Sequence, residues 1–312
     1  MRILGPISAF AVIAASAATA GKPPTPSPSA NTQLAYEVLS GKSNKLILSN
    51  EDGTNASTIY TAQRPFRFDL SPRGVNKIAV SQDSADDPAI WLVSLTTSGS
   101  GLPIASGSPV RLRDARDSTH VDFSPDGSKL LFACCSNGTT EKLVVYELAT
   151  GASTEWATVS YAWDLAFFRN GNSIAFSAWD GSGAYALFEV TGPGAEPRRL
   201  LTNRSDIYFD ASRANSDALV VNYHDAVGHA LTGLWQAPTA DDPAGHFLVQ
   251  NLASSIDSFF GAASCEDRKL AYLGPPNQSP SWYIRVLSTG ITRTFSKTYD
   301  RWVQFWPDSI CP

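Results

Sequence analysis

The sequence predicts an all-β fold, a ring of six four-stranded blades, on three observations. The first is the hairpin signature VDFSPDGSKLLFAC at residues 121–134. Pro125-Asp126-Gly127 is turn chemistry, because Pro presets φ, Asp can bond its own backbone and Gly tolerates positive φ. One strand enters the turn at 121–124 and a second leaves it at 129–134. The second observation is recurrence. With Ser124 as the reference, equivalents stand at Ser71, Phe168, Ser212, Ser264 and Trp306, at spacings of 53, 44, 44, 52 and 42 residues. The third is what lies between the motifs. Each interval holds further short strands, and four strands per period of about 40 to 50 residues is the signature of a propeller blade.

Taken in chain order, residues 1–20 read as a signal peptide. Arg2 gives the positive end, ILGPISAFAVIAASA the apolar stretch, and Ala18-Thr19-Ala20 the small-x-small site, so cleavage is expected after Ala20. Residues 21–31 are a Pro/Ser linker, and residues 32–312 the propeller. Residues 32–62 hold three strands, TQLAYEVL, KLILSN and STIYTA, with no preceding motif. FRFDLSPRGVNKIAVS opens the next repeat, with one extra residue after its turn. From 121 the strands are 121–124, 129–134, KLVVYEL and EWATV; the following repeat gives LAFF, SIAFSAW, AYALFEV and RRLLT. YFDASRANSDALVVNY and FFGAASCEDRKLAYLG open two more with altered turns, and WVQFWPDS supplies a single final strand. That last strand and the first three make up one blade, which closes the ring and leaves only short edges.

FSPDGSKLLF, the half-blade beginning LAY, the LILSNEDGTN hairpin and the terminal FWPDS resemble the repeats of the TolB-type six-bladed propeller. The resemblance covers residues 32 to 309 and not the α/β domain that TolB carries before its propeller, so roles of that domain are not implied. It implies that Ser124 and Asp126 are structural, and that the face bearing the connections into each first strand holds a protein partner.

Composition narrows the function. Charged residues are 17%, aromatics 11% with eight Trp, and the net charge is −5 with no basic run. Large rings suit packed sheets, and nucleic-acid binding is not expected, because phosphate contacts need clustered Lys and Arg. After signal cleavage no membrane span is expected.

The site is sought in the connections that lead into each blade's first strand. Asp117, Asp164, Asp206, Asp257 and Asp300 recur there, with the aromatics Trp163, Tyr208 and Trp302 and the polar groups Arg67, His120 and Arg301. Two readings stand. Each Asp caps its own tight connection while the aromatics wedge between blades, or the set lines an acidic, aromatic funnel that receives a peptide, a basic patch of a partner, a sugar or a cation, the resemblance favouring the protein partner. His224 and His229, in NYHDAVGHA, are candidate metal ligands, but the pattern lacks a fixed spacing. No Gly-x-Ser-x-Gly, His-Glu-x-x-His or phosphate loop is present in the sequence.

Cys265 and Cys311 sit near the reference position of neighbouring blades and are paired as a disulfide that pins the closing strand. Cys134 and Cys135 are consecutive on a strand, with side chains expected on opposite faces, and are read as core thiols, a vicinal disulfide being the alternative. The function expected is an exported, periplasmic or secreted, monomeric binding or scaffold module that contacts a protein or peptide of a bacterial cell envelope, without cofactor and more in keeping with a non-enzyme. The alternative is a metal-dependent propeller lyase or lactonase acting on a saccharide or lactone.

Overall fold

The computed structural model describes residues 33–305 apart from 52, 73, 83–88, 98–102, 115–119, 136–137, 169–170, 202–204, 212–217, 225–229, 240, 243, 254–260, 264–268, 274–281 and 297–299. The described residues are all strand and turn, without helix. Strands β1 (Gln33–Ser40), β2 (Ser43–Asn50) and β3 (Ser57–Ala62) open the chain. The second sheet holds β4 (Phe66–Leu70), β5 (Lys77–Gln82), β6 (Ala89–Thr97), β7 (Pro103–Ala105) and β8 (Val110–Asp114). The third has β9 (Val121–Phe123), β10 (Lys129–Cys134), β11 (Glu141–Glu147) and β12 (Ser153–Val159). The fourth has β13 (Leu165–Phe167), β14 (Ile174–Trp179), β15 (Tyr185–Val190) and β16 (Arg198–Leu200). The fifth follows with β17 (Ser205–Ala211), β18 (Ala218–His224), β19 (Ala230–Gln236) and β20 (His246–Ala253). The sixth has β21 (Gly261–Ala263), β22 (Lys269–Leu273), β23 (Trp282–Val286) and β24 (Thr292–Ser296), after which comes β25 (Asp300–Phe305).

Every sheet is antiparallel, and β25 returns to pair with β1, giving the order β25-β1-β2-β3. The first and last strands of the described chain thus share one sheet, as the lone final motif predicts. The first strands of successive sheets touch their neighbours in the order β25, β4, β9, β13, β17, β21, and β21 touches β25 again.

One sheet departs from the four-strand expectation. In the second, the outer position is divided: β7 pairs with Leu95–Thr97 and β8 with Ala89–Leu92 of the long strand β6. Pro103 and Pro109 cannot donate to a ladder, and Gly107, at φ +76, turns the chain between the two halves. The longer spacing between Ser71 and Ser124 holds this insertion.

The core lies between sheets, which explains the uninterrupted apolar runs. Leu131, Ala133 and Val145 of the third sheet pack with Leu165, Phe167 and Phe176 of the fourth. Ala79 and Ile90 of the second pack with Val121, Phe123 and Phe132 of the third. Ala166 and Leu187 of the fourth meet Phe209, Val221 and Trp235 of the fifth. A sheet covered on both faces buries consecutive residues of its middle strands, so LLFAC of β10 and ALVVNY of β18 are buried without a break rather than in alternation. Phe132 and Phe176 are among the largest fully buried side chains.

The Ser-Pro-Asp-Gly turn is architectural, as the resemblance implies. Asp126 Oδ1 accepts the Ser124 hydroxyl at 2.6 Å and the Ser128 N–H at 3.0 Å, while Ser124 Oγ accepts the Lys129 N–H at 2.9 Å. These bonds hold the Asp126 carboxyl below its usual range. Gly127, at φ +71, abuts Val75 in the equivalent turn of the preceding sheet.

Cys134 and Cys135 are joined by a disulfide, with Cα atoms 3.7 Å apart, which corrects the core-thiol reading. Strict alternation would point the two sulfurs apart. Cys135 leaves the extended conformation, at φ +61, and so brings its sulfur back toward Cys134. Cys265 and Cys311 lie outside the described residues.

Candidate functional site

The inner strand of a propeller sheet has one unpaired edge, whose N–H groups need acceptors. This chain supplies them from the preceding sheet. Asp69 Oδ2 accepts the Phe123 N–H at 2.7 Å, Asp122 Oδ2 the Phe167 N–H at 2.7 Å, and Asp164 Oδ2 the Phe209 N–H at 2.8 Å. All three carboxylates are buried. Asp69 and Asp122 stand two residues before their reference positions, Ser71 and Ser124; in the fourth sheet that level holds Ala166, and Asp164 does the same work two residues earlier. Reading only the connections missed Asp69 and Asp122. Their signal was the recurrence of Asp at that level in FRFDLS, VDFS and YFDAS.

The level of Asp164 is itself a set. Arg67, His120, Asp164, Tyr208 and Trp302 each stand four residues before a reference position, so they occupy one tier where successive inner strands begin. His120 Nε2 lies 3.3 Å from Asp164 Oδ1. The Arg67 guanidinium sits 5.8 Å from the centre of the Trp163 ring, a cation–π distance that joins the second sheet to the connection before β13. Burial and then the Arg67 charge hold the His120 imidazole well below its ordinary range, so it is neutral near pH 7. Burial pushes the Asp164 carboxyl up to about 7, against the opposing pull of Arg67, the Phe209 N–H and Ser177. Burial likewise raises Asp122, against its bond from Phe167.

The connection before β13 is held rigid on β14. The Trp163 N–H donates to Ser177 O at 2.9 Å, the Asp164 N–H to Ser177 Oγ at 3.0 Å, and the Trp179 N–H to Ser160 O at 3.0 Å. The Ala162 N–H donates to Glu141 Oε2 at 3.1 Å, and the Tyr161 hydroxyl to Gly138 O at 3.1 Å, tying this connection to the β10–β11 turn beside the disulfide. Around it stand four aromatics. Tyr185 lies 6.1 Å from Trp163 and 5.7 Å from Trp179, ring centre to ring centre and both edge-on. Trp179 is 40% and Tyr161 46% exposed, so this aromatic cluster reaches solvent.

Of the residues singled out in the sequence, Arg67, His120, Trp163 and Asp164 come together here. Asp164 caps the next sheet's strand rather than its own connection, and is only 2% exposed. Asp206 and Tyr208 lie in β17, with Tyr208 opposite Asn222 in register; Asp300, Arg301 and Trp302 lie in β25, with Asp300 opposite Val38. Asp117, Asp257 and His229 lie outside the described residues. His224 ends β18, opposite Ser205 and Ala230. Among the described residues no three His, Cys, Asp or Glu side chains converge as a metal-ligand set. Sequence reasoning passed over Trp179, Tyr185 and Glu141, which stand at the strand ends that flank the turns between second and third strands, because only the connections into the first strands were searched residue by residue. The aromatics flanking DGSG in AWDGSGAY were the available signal.

No protein-family model and no curated protein sequence matches the chain. Solved structures do. TolB from Acinetobacter baumannii superposes with a TM-score of 0.70 at 16% identity, over 89% of this chain and 67% of that one. A chain from a nidogen/laminin complex superposes at 0.59 and 13% identity, over 88% of this chain and 98% of that one. Oligogalacturonate lyase from Vibrio parahaemolyticus superposes at 0.53 and 8% identity, over 80% of this chain and 70% of that one. At these identities the likeness is one of fold, and the fold of this chain is a TolB-like β-propeller.

Proposed function

We propose that this chain is an exported binding module, a six-bladed propeller closed between β25 and β1, which holds a protein or peptide partner on the face where its inner strands begin. The observation that carries the reading is the solvent-reaching aromatic cluster of Tyr161, Trp163, Trp179 and Tyr185, set on a backbone pinned to β14 and bordered by Arg67, His120 and Asp164. Aromatic rings on a rigid base, with a few polar groups beside them, are what partner interfaces concentrate at their centres. The cyclic order of inner-strand contacts supports closure. Among fold neighbours, one comes from a nidogen/laminin complex, which supports use of the scaffold for protein contact.

In the same reading residues 1–20 are an export signal and 21–31 a linker, the protein works as a monomer in the periplasm or outside the cell, and Cys265 pairs with Cys311. Among the described residues no helix is long and apolar enough to cross a membrane. Asp117, Asp206, Tyr208, Asp257, Asp300, Arg301 and Trp302 extend the binding face around the ring. The enzyme alternative has one observation in its favour, the fold shared with an oligogalacturonate lyase, and lacks a converged ligand set among the described residues.

The test is affinity capture from the envelope fraction of the source cells, comparing wild type with Arg67→Ala, Trp179→Ala and a control at Thr150, in the turn at the far end of the third sheet. Loss of one captured protein in the first two, with retention in the control, supports the reading. Equal capture by all three overturns it.

A further inference from the structure

The aromatic cluster is a corner rather than a flat platform. Trp163 and Trp179 both meet Tyr185 edge-on, at interplanar angles of 64° and 81°. A sugar ring stacks best on one broad flat face; rings set at steep angles instead present their electron-rich faces from several directions to one small group.

Carboxyls and guanidiniums both stand beside the corner: Glu141, Asp164 and Asp180 on one side of the balance, Arg67 and the Asp180-paired Arg199 on the other. Tyr185 has its phenol pushed up by burial first, then by Glu141, and further by Asp164 in its ionised form and by Tyr161, which places Glu141 within electrostatic reach of the ring. Glu141 is anchored by the Ala162 N–H. Asp180, next to Trp179, is held below its usual range by Ser182 and pairs with Arg199. The guanidinium of this chain already placed there, Arg67, lies 5.8 Å from Trp163 and shows that the cluster accommodates such a group. Trp179 and Tyr161 carry the exposed side of the cluster.

We infer that this corner is a subsite for a cationic side chain, an Arg or Lys of the partner, held by the faces of Trp179, Tyr185 and Tyr161 with Glu141 as the counter-charge. The inference rests on the partner-binding reading and names the chemistry the partner brings. A guanidinium suits it best, because its flat face stacks on a ring while its edge donates to a carboxylate.

The test uses the full mature chain labelled with ¹⁵N at tryptophan, titrated with acetyl-Gly-Arg-Gly-amide, its Lys counterpart and the uncharged citrulline counterpart. The expected result is a saturable shift of the Trp179 indole N–H signal by the Arg peptide, weakened by salt, with little response to citrulline. Trp179→Ala and, separately, Glu141→Gln each weaken Arg-peptide binding about three- to thirty-fold, the range one desolvated cation–π contact covers. Equal binding of the citrulline peptide, no shift with any peptide, or unchanged affinity in both variants overturns the inference. A trigalacturonate that moves the same signals at lower concentration than the Arg peptide also overturns it, in favour of a saccharide. The two levels are separable. If the Arg peptide fails while capture still depends on Arg67 and Trp179, only the cationic subsite falls. If the peptide binds but capture does not distinguish the variants, the subsite stands and the partner reading falls.

Discussion

Replacing Asp164 by Asn removes an ionisation and little else. The carboxyl is buried, and its pKa is raised from 3.8 to about 7. Between those values the folded chain keeps a proton that the unfolded chain releases. The stability tied to that proton is therefore complete below pH 3.8, declines as pH rises, and is gone above about 7. A shift of about three units corresponds to about 4 kcal/mol across the whole window. Asn keeps an oxygen to accept the Phe209 N–H and an amide to face His120, as the protonated acid does, but cannot ionise. His120 acts in the opposite sense: its lowered pKa gives stability that is full above 6.5 and lost as pH falls, and it is present in both proteins. Because His120 Nε2 lies 3.3 Å from Asp164 Oδ1, the comparison of Asp164→Asn with wild type reads residue 164 together with its contact to His120. Urea unfolding at pH 5 and pH 8 is the assay. The variant is expected to gain on wild type by about 3 kcal/mol between the two, since roughly two of the three units lie above pH 5. A pH-independent difference, or a variant less stable than wild type at pH 8, would refute a largely protonated Asp164 and make it an anion paired with Arg67.

Three further expectations follow from the architecture. Asp122→Ala leaves the Phe167 N–H buried without its acceptor and costs about 1–3 kcal/mol, most of it recovered by Asp122→Asn, again by urea unfolding. Gly127→Ala meets both a left-handed φ and a Val75 methyl 2.6 Å from the new Cβ, and so costs about 1–3 kcal/mol, whereas Gly53→Ala, with φ +79 and nothing within 4 Å, costs only the conformational part of about 1 kcal/mol. Tryptic digestion without reductant should yield peptide 130–142 lighter by two hydrogens than after reduction and unreactive to iodoacetamide, because it holds the Cys134–Cys135 bond.

Much of the fold was legible because turns and two-sided burial leave local marks. Ser124-Pro125-Asp126-Gly127 marks where β9 turns into β10, and KLLFAC shows a strand covered on both faces. The place of the final strand, β25, beside β1 in the sheet of the first three strands followed from counting. The divided outer position at β7 and β8 was less legible, since Pro103, Gly107 and Pro109 indicate a break without saying that both halves return to β6. The site was legible in part. Arg67, His120, Trp163 and Asp164 were found because they flank the inner strands, yet the use of Asp164 was not, because its acceptor role depends on Phe209, 45 residues away. Separations of 54 and 45 residues from their donors likewise hid Asp69 and Asp122. Cys134–Cys135 was misread because a single φ of +61 breaks the alternation that strand logic assumes.

The central claim is that the face where the inner strands begin meets a partner. Its most direct test places a photo-crosslinking phenylalanine analogue at Trp179, or in a second protein at Thr150, and irradiates each in the source cell envelope. The account predicts a discrete protein adduct from position 179 and none from position 150. An adduct from 150 alone, equal adducts from both, or none from 179 would contradict it.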